Sequence, residues 1–174
     1  MKTYGLYNDE PVIRTFTGKW FNPFEPNIDD ICIEDIAHSL SNQCRFGGHT
    51  KDFYSVAHHS VLCCAAASES NQLAALLHDA SEAYLIDIPR PIKLKLIEYK
   101  PIEDKLMKMI SEKFGFEYPL CKEVKDIDEA ILQYEWQRQM TGEASDELYA
   151  YSNGLSKQRF LERFNALTNG TKQA

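Results

Sequence analysis

The sequence lacks several features that define large classes of proteins. Acidic residues outnumber basic ones by 26 to 19, which gives a net charge of -7. This balance argues against a protein that neutralises the many phosphates of a nucleic acid polymer. The longest apolar stretches, such as SVLCCAAA, fall short of the run of about 20 residues that a membrane span needs, and the first residues carry no apolar signal segment. We therefore expect a cytoplasmic protein that binds neither a nucleic acid polymer nor a membrane.

Cysteine is also sparse and irregularly spaced. The five cysteines lie at positions 32, 44, 63, 64 and 121, without a CxxC pair. This spacing suggests neither a disulfide framework nor a zinc knuckle. The vicinal pair Cys63 and Cys64 lies in an apolar segment and is expected to pack as small hydrophobic side chains.

The chain contains no internal repeat, no low-complexity run and no long linker. Its length suits one domain, which we predict to span residues 1–174 with a core at about 29–140. Apolar residues recur at helical spacing along most of it, and Thr17 with Gly18 favours a small N-terminal hairpin. These patterns predict an all-α helical bundle of six or seven helices, at about 29–40, 55–67, 71–84, 92–99, 101–115, 122–140 and 156–167.

The stretch HDASEAYLIDIPRPIK, residues 78–93, crowds ionisable groups into a predicted helix. His78 and Glu82 are four residues apart and would share a helix face, while Asp79 would lie about 100° around from His78. Both members of the His78–Asp79 pair could then reach one metal ion at the helix edge. Taken alone, such a dipeptide is more often a surface pair, and Glu82 alone is more often a solvated residue.

Two further segments supply candidate ligands. In SVAHHSVLCC, His59 shares an apolar stripe with Cys63, whereas His58 lies on the neighbouring stripe, so periodicity favours His59 slightly. In EVKDIDEAIL, Asp128 borders the predicted core stripe, whereas Asp126 points away from it. A carboxylate at such a border needs a partner, and a cation would provide one.

The predicted ligand set joins two nitrogens and two oxygens, from His59, His78, Asp79 and Asp128. Such mixed ligation suits one divalent ion, with Co, Mn, Zn, Fe and Mg all remaining candidates. An ion of this kind acidifies water and withdraws charge from a phosphoryl oxygen.

The ordered motifs AHHSVL, LLHDASEAYLIDIPRPIK and EVKDIDEAIL resemble the H…HD…D pattern of the HD superfamily of metal-dependent phosphohydrolases. The similarity covers about residues 30–140 and is greatest to the bacterial 5'-deoxynucleotidases and the small phage-type HD phosphohydrolases. It implies an all-α hydrolase that removes phosphate from 2'-deoxynucleoside 5'-monophosphates in nucleotide metabolism. Relatives of this type are often homo-oligomers, so the resemblance also implies a dimer or a higher assembly.

The resemblance assigns roles to individual residues. It makes the four residues named above the metal ligands and Glu82 the catalytic group that orients or deprotonates the attacking water. Asp87 corresponds to a catalytic acidic residue that assists near the leaving group and the sugar. Lys93 and Lys125 fall where lysines could hold the substrate phosphate. The family's Arg-Trp pair corresponds to Arg45 and Phe46, and an arginine can hold phosphate through two parallel hydrogen bonds. The change from Trp to Phe weakens the expectation that ribose is excluded.

Other functions stay open at this stage. Related enzymes release triphosphate from deoxynucleoside triphosphates, and the basic run RPIKLKLIEYK could bind a triphosphate or could be a solvated face. A helical module that binds a nucleotide without turnover is a second alternative, against which Glu82 and Asp87 argue. A cyclic-nucleotide phosphodiesterase would need ligands for a second metal, for which only His38, His49 and His58 are spare.

Overall fold

The protein is described by a computed structural model over residues 11–142 and 151–169. A hairpin of two short antiparallel strands, β1 (Ile13–Arg14) and β2 (Trp20–Phe21), precedes the helices. The described residues form eight α-helices: α1 (Ile33–Asn42), α2 (Val56–Ala66), α3 (Gln72–Leu76), α4 (Glu82–Leu85), α5 (Arg90–Lys93), α6 (Tyr99–Phe114), α7 (Lys122–Gln139) and α8 (Asn153–Asn169). This architecture confirms the predicted all-α bundle with an N-terminal hairpin.

Helix α2 lies at the centre of the fold and packs against α1, α3, α7 and α8. It is apolar around most of its circumference, as expected for a helix that is enclosed by others. Ser55 begins it with a side-chain cap, since its hydroxyl accepts a hydrogen bond from the backbone N–H of His58 at 3.1 Å. The start of α2 and the residues facing it are therefore fixed in position.

The N-terminal hairpin is attached to α1 by one buried carboxylate. Asp35 accepts hydrogen bonds from the backbone N–H of Thr17 at 2.6 Å and from its hydroxyl at 2.8 Å. Gly18 closes the turn with φ of 86°, a conformation that favours glycine. Phe21, just after this turn, is fully buried, so the hairpin contributes to the core.

The core also reaches the C-terminal part of the described chain. Helix α8 packs on α1 and α2 and buries Phe160 completely. The hydrophobic core thus draws on residues on both sides of the range 29–140. No helix within residues 11–142 and 151–169 has the length and apolarity that crossing a membrane requires.

The helix predicted at 71–84 is wrong as a single element. The chain forms α3, then turns through residues 77–81, then forms the short α4. The backbone N–H groups of Ala80 and Glu82 donate to carbonyls only three residues back, those of Leu77 and Asp79, so the α-helical ladder is interrupted. His78 and Asp79 consequently lie on a turn and not on a helix face.

Two other predicted boundaries differ from the structure. Asp29 and Asp30 lie in a separate 3-10 turn, Ile28–Asp30, and α1 begins after Cys32 instead. The short helix expected at 92–99 lies instead at Arg90–Lys93, with Pro91 in its first turn, where a proline is tolerated. Helix α6 behaves as predicted, with Pro101 near its start and Gly115 ending it at φ of 80°.

Candidate metal centre

The donor atoms of His59, His78 and Asp128 lie close together between α2, the 77–81 turn and α7, and an oxygen of Asp79 lies next to the two histidines. His59 Nε2 lies 3.2 Å from His78 Nε2 and 3.1 Å from Asp128 Oδ1, and His78 Nε2 lies 3.6 Å from that same oxygen. Asp79 Oδ2 lies 3.1 Å from His78 Nε2 and 3.8 Å from His59 Nε2. Two ligands at ordinary bond lengths in a tetrahedral site are separated by about 3.4 Å, so the spacing fits a single ion.

Cys63 joins this cluster, although its position in an apolar segment predicted simple packing. His59, Cys63, His78 and Asp128 form a mostly buried group that could hold a metal ion, with donor atoms within 4.8 Å of one another. The sulfur is 3.5 Å from His59 Nε2 and 4.0 Å from Nδ1, which places it beside the imidazole ring. The spacing of four residues between His59 and Cys63 on one helix was the signal for this contact.

Each histidine is oriented by a hydrogen bond to its other ring nitrogen. His59 Nδ1 lies 2.8 Å from Glu135 Oε1, and His78 Nδ1 lies 2.7 Å from the carbonyl oxygen of Ala75. Because each acceptor favours a proton on Nδ1, the lone pair of Nε2 is directed at the cluster. This is the arrangement by which proteins fix metal-binding histidines.

Glu135 is the centre of this supporting network, and none of the sequence motifs pointed to it. Its carboxylate is fully buried and also accepts hydrogen bonds from the hydroxyl of Tyr54 at 2.8 Å and from Arg45 Nε at 3.0 Å. Burial raises the pKa of Glu135, but His59 and Arg45 lower it more, so that the net shift is downward. A buried anion with three hydrogen-bond donors therefore couples His59 to Arg45.

The electrostatics of the cluster favour a cation. Burial raises the pKa of Asp79, but His78 lowers it to about 2, and the pKa of Asp128 is likewise lowered by the two histidines despite its burial. Burial opposes the charged form of both imidazoles, yet the neighbouring carboxylates hold their pKa values well above 6.5. The carboxylates thus favour positive charge at the point where a metal ion would lie.

A cavity of about 470 Å³ opens beside the cluster. Its wall combines charged and polar side chains with aromatic and aliphatic ones. The lining residues are Arg45, Phe46, His49, Asp79, Glu82, Asp87, Ile88, Pro89, Arg90, Pro91, Lys93, Asp128, Leu132, Gln133, Trp136 and Met140. Its volume lies in the range of small-molecule sites.

Glu82 presents a buried carboxylate to this cavity. Its Oε1 accepts a hydrogen bond from Lys93 Nζ at 3.3 Å, whereas Oε2 is buried without a hydrogen-bond partner in the described structure. Burial raises the pKa of Glu82 well above 4.5, and the charges of Asp79 and Asp87 raise it further. A carboxylate of raised pKa with an unused oxygen is suited to accept a proton from a substrate or a water molecule.

The turn between Glu82 and Asp87 is held in a strained conformation. Ile86 has φ of 72° and ψ of 146°, a region that β-branched residues rarely adopt and that costs about 1–3 kcal/mol. Gln43 bridges the turn, donating to the carbonyl of Glu82 and accepting from the N–H of Asp87, both at 2.9 Å. Tyr99 adds a hydrogen bond to the carbonyl of Ile86 at 3.0 Å, so that Asp87 is held at the cavity wall.

Two curated proteins are similar to this chain. YfdR of Escherichia coli K12 is 48% identical over 123 residues, which make up 71% of this chain and 69% of YfdR. The chain belongs to the YfdR family. RCAP_rcc00048 of Rhodobacter capsulatus is a more distant relative, 36% identical over 122 residues that cover 64% of this chain and 62% of that protein. Both relatives are described as uncharacterized proteins, and no model of a known protein family matches the sequence.

In this member of the YfdR family, three of the four predicted substrate contacts line the cavity, namely Arg45, Phe46 and Lys93. Lys125 does not. It is exposed and lies one turn before Asp128 on α7, while the cavity follows α7 from Asp128 toward Met140. The structure therefore does not bring Lys125 to the site.

The remaining histidines and Trp136 of this YfdR-family chain differ in their position relative to the ligand cluster and the cavity. His58 is directed away from the cluster and stacks on Tyr151 with ring centroids 4.0 Å apart, which leaves His59 as the histidine at the centre. His49 lies on the cavity wall, whereas His38 stacks on Phe16 at 3.8 Å. Trp136 also lines the cavity and is 44% exposed.

Proposed function

We propose that this protein is a metal-dependent phosphohydrolase that removes phosphate from 2'-deoxynucleoside 5'-monophosphates. The observation that carries the proposal is that Glu82, whose Oε2 is buried without a hydrogen-bond partner in the described structure, lines the same cavity as Asp79 and Asp128. A cluster that could bind a cation and a buried carboxylate that could accept a proton thus face the same space. Resemblance to the HD phosphohydrolases supplies the choice of phosphoester and of a deoxynucleotide.

The ligands proposed for one divalent ion are His59, His78, Asp79 and Asp128, with Co, Mn, Zn, Fe or Mg as candidates. When bound, the ion would supply positive charge to phosphate and make water more acidic. Glu82 accepts a proton from the attacking water, and Lys93, which donates to it at 3.3 Å, keeps its carboxylate in place. Asp87 acts on the leaving-group side.

Arg45 holds the phosphate. Its guanidinium is fixed through Nε by Glu135 at 3.0 Å, and its Nη1 lies 3.7 Å from Asp79 Oδ2. An arginine whose position is already set loses little side-chain freedom when it binds an anion. In phosphoryl transfer the protein acts mainly through positioning and charge, so this arrangement suits the reaction.

The monophosphate is favoured by the number of cations on the cavity wall. Among the residues described, Arg45, Lys93 and Arg90 line it, and Arg90 is paired with Glu129 at 3.0 Å. Lys100 is paired with Asp104 at 2.6 Å and does not line the cavity. Arg90 is nevertheless the residue through which a triphosphate could be bound, so triphosphate release is the second candidate activity.

Product analysis tests the proposal. Purified protein is incubated with Mn, Co, Zn or Mg and with each dNMP or dNTP, and orthophosphate and triphosphate are quantified separately. We expect orthophosphate from dNMPs, lost in His78→Ala and retained in Lys125→Ala, which lies outside the cavity. Triphosphate from dNTPs would establish the alternative activity. Neither product with any metal, in protein that binds nucleotide, would instead favour a binding module.

A further inference from the structure

The cavity wall carries two chemically different groups of side chains. The first consists of the charged groups described above, and the second consists of the apolar side chains of Phe46, Leu132, Trp136 and Met140. Phosphate and metal chemistry account for the charged group only. The apolar side chains are therefore available to a different part of a ligand.

The rings of Phe46 and Trp136 meet in a corner of the cavity wall. Their ring centroids are 5.8 Å apart and their planes meet at 64°. A flat ligand ring inserted between two parallel rings needs about 7 Å between them, so the pair is not a slot. A ring lying on the face of Trp136 would meet Phe46 edge to face, and both geometries are favourable for aromatic groups.

Both aromatic side chains are placed for contact in ways that packing alone does not explain. Trp136 leaves 44% of its surface exposed on a helix whose next residue toward the N-terminus, Glu135, is fully buried. Phe46 adopts φ of 56° and ψ of 28°, a left-handed conformation that is unfavourable for a residue with a side chain. The strained turn directs Phe46 to the cavity wall, next to Arg45, whose guanidinium carbon lies 5.5 Å from the ring centroid.

The spacing along α7 matches a ligand with two separated parts. Trp136 follows the metal-ligand candidate Asp128 by eight residues, which is about 12 Å along a helix axis, and Leu132 lies between them on the cavity wall. A phosphate at Asp128 and a planar ring at Trp136 would therefore need a spacer between them, which the sugar of a nucleotide supplies.

We propose that Trp136, with Phe46, forms the stacking subsite for the planar base of a nucleotide whose phosphate lies at the metal centre. This inference rests on the proposed function and adds a substrate contact to it. Stacking on an aromatic face tolerates any base, and the amide of Gln133 already donates to Glu129 at 3.3 Å. The subsite selects for a planar ring and discriminates little among the four bases.

Intrinsic fluorescence tests the contact without requiring turnover, because the sequence has two tryptophans. Trp20→Phe leaves Trp136 as the single reporter, and Trp136→Phe leaves Trp20, which is located in the hairpin beneath Arg14. Titration with deoxyadenosine and with dAMP in EDTA should quench Trp20→Phe saturably and leave Trp136→Phe unchanged. Nucleotide binding detected by calorimetry without quenching of Trp136 would overturn the inference, as would the absence of any nucleotide binding.

Kinetics give an independent measure. We expect Trp136→Ala to raise KM for dAMP by about 5- to 150-fold with little change in kcat, since alanine replacement of a stacking residue removes binding on this scale. Trp136→Phe should retain most of the affinity. With 2-deoxyribose 5-phosphate, which has no ring to stack, the variant and the parent should have equal KM values. An equal loss with both substrates would refute stacking, whereas a lack of hydrolysis with quenching intact would refute only the proposed reaction.

Discussion

Replacing Glu135 by glutamine should weaken both the fold and the metal site, although this residue lies behind the cavity. The fully buried carboxylate accepts hydrogen bonds from Arg45, Tyr54 and His59 at 2.8–3.0 Å. Glutamine has nearly the same shape but carries one acceptor oxygen and no charge. Arg45 would then lose the nearer of its two carboxylate partners and keep only Asp79, whose Oδ2 lies 3.7 Å from Nη1.

The size of the effect follows from burial. Removing one partner of a buried ion pair costs about 3–5 kcal/mol, and glutamine, which preserves one acceptor, should fall near 3 kcal/mol. For a chain of this length that corresponds to a fall in Tm of about 6–12 °C. Since Glu135 also orients His59, metal affinity should fall by about 10- to 100-fold.

Glu129→Gln provides the matched control on the same helix. Glu129 pairs with Arg90 at 3.0 Å, but both side chains are about half exposed, so its loss should cost at most about 1 kcal/mol. Urea denaturation of the metal-free proteins and metal titration by calorimetry measure the two effects separately. If Glu135→Gln were as stable as Glu129→Gln and bound metal like the parent, the buried network would not hold the site.

Three further predictions concern metal binding and the carboxylate of Glu82. Adding Mn or Co at 100 times its Kd should raise the free energy of unfolding by about 2.7 kcal/mol, and Asp128→Asn should reduce this gain. Metal affinity should rise with pH, because the raised pKa values of His59 and His78 mean that binding must displace protons. For each proton displaced, the metal-binding constant should rise about tenfold per pH unit at pH values below those pKa values. Glu82→Gln should lower kcat by about 10²- to 10⁴-fold and leave the metal-induced rise in Tm intact.

Specific outcomes would contradict each of these expectations. An unchanged Tm with every divalent metal would count against a binding cluster, and a flat dependence of metal affinity on pH between 6 and 8 would show that no proton is displaced from the imidazoles. Near-normal turnover in Glu82→Gln would remove that carboxylate from the reaction. Calorimetry in two buffers of different ionisation enthalpy counts the released protons directly.

The sequence predicted the ligand cluster better than the elements that carry it. Adjacent His78 and Asp79 suggested a shared ion, but the expected helix is broken there. The LHDAS stretch contains neither Gly nor Pro, so no local signal marked the break. What brings these side chains together is tertiary packing against α2 and α7, and periodicity does not report on that packing.

Glu135, which supports the candidate ligands, and Trp136, on the cavity wall, were harder to predict. Glu135 follows Ile131 by four residues and so falls on the apolar stripe of α7, a signal that would have indicated a buried acid. Trp136 gave no such signal, since a cavity wall is formed by several segments distant in sequence. Lys125 was assigned by resemblance alone, and the direction in which the cavity extends along α7 leaves it outside.

Helix α7 carries Asp128 in the cluster, Glu135 in contact with the ring of His59, and Trp136 on the cavity wall. All three depend on one uninterrupted helical register, in which each residue turns the next by 100°. An insertion or deletion of one residue between Asp128 and Glu135 would therefore rotate the two side chains by about 100° relative to each other, so that they could no longer serve the same cluster. Natural relatives should vary in length in their loops and keep this seven-residue interval constant, which makes the interval a simple criterion for deciding which distant sequences share the site.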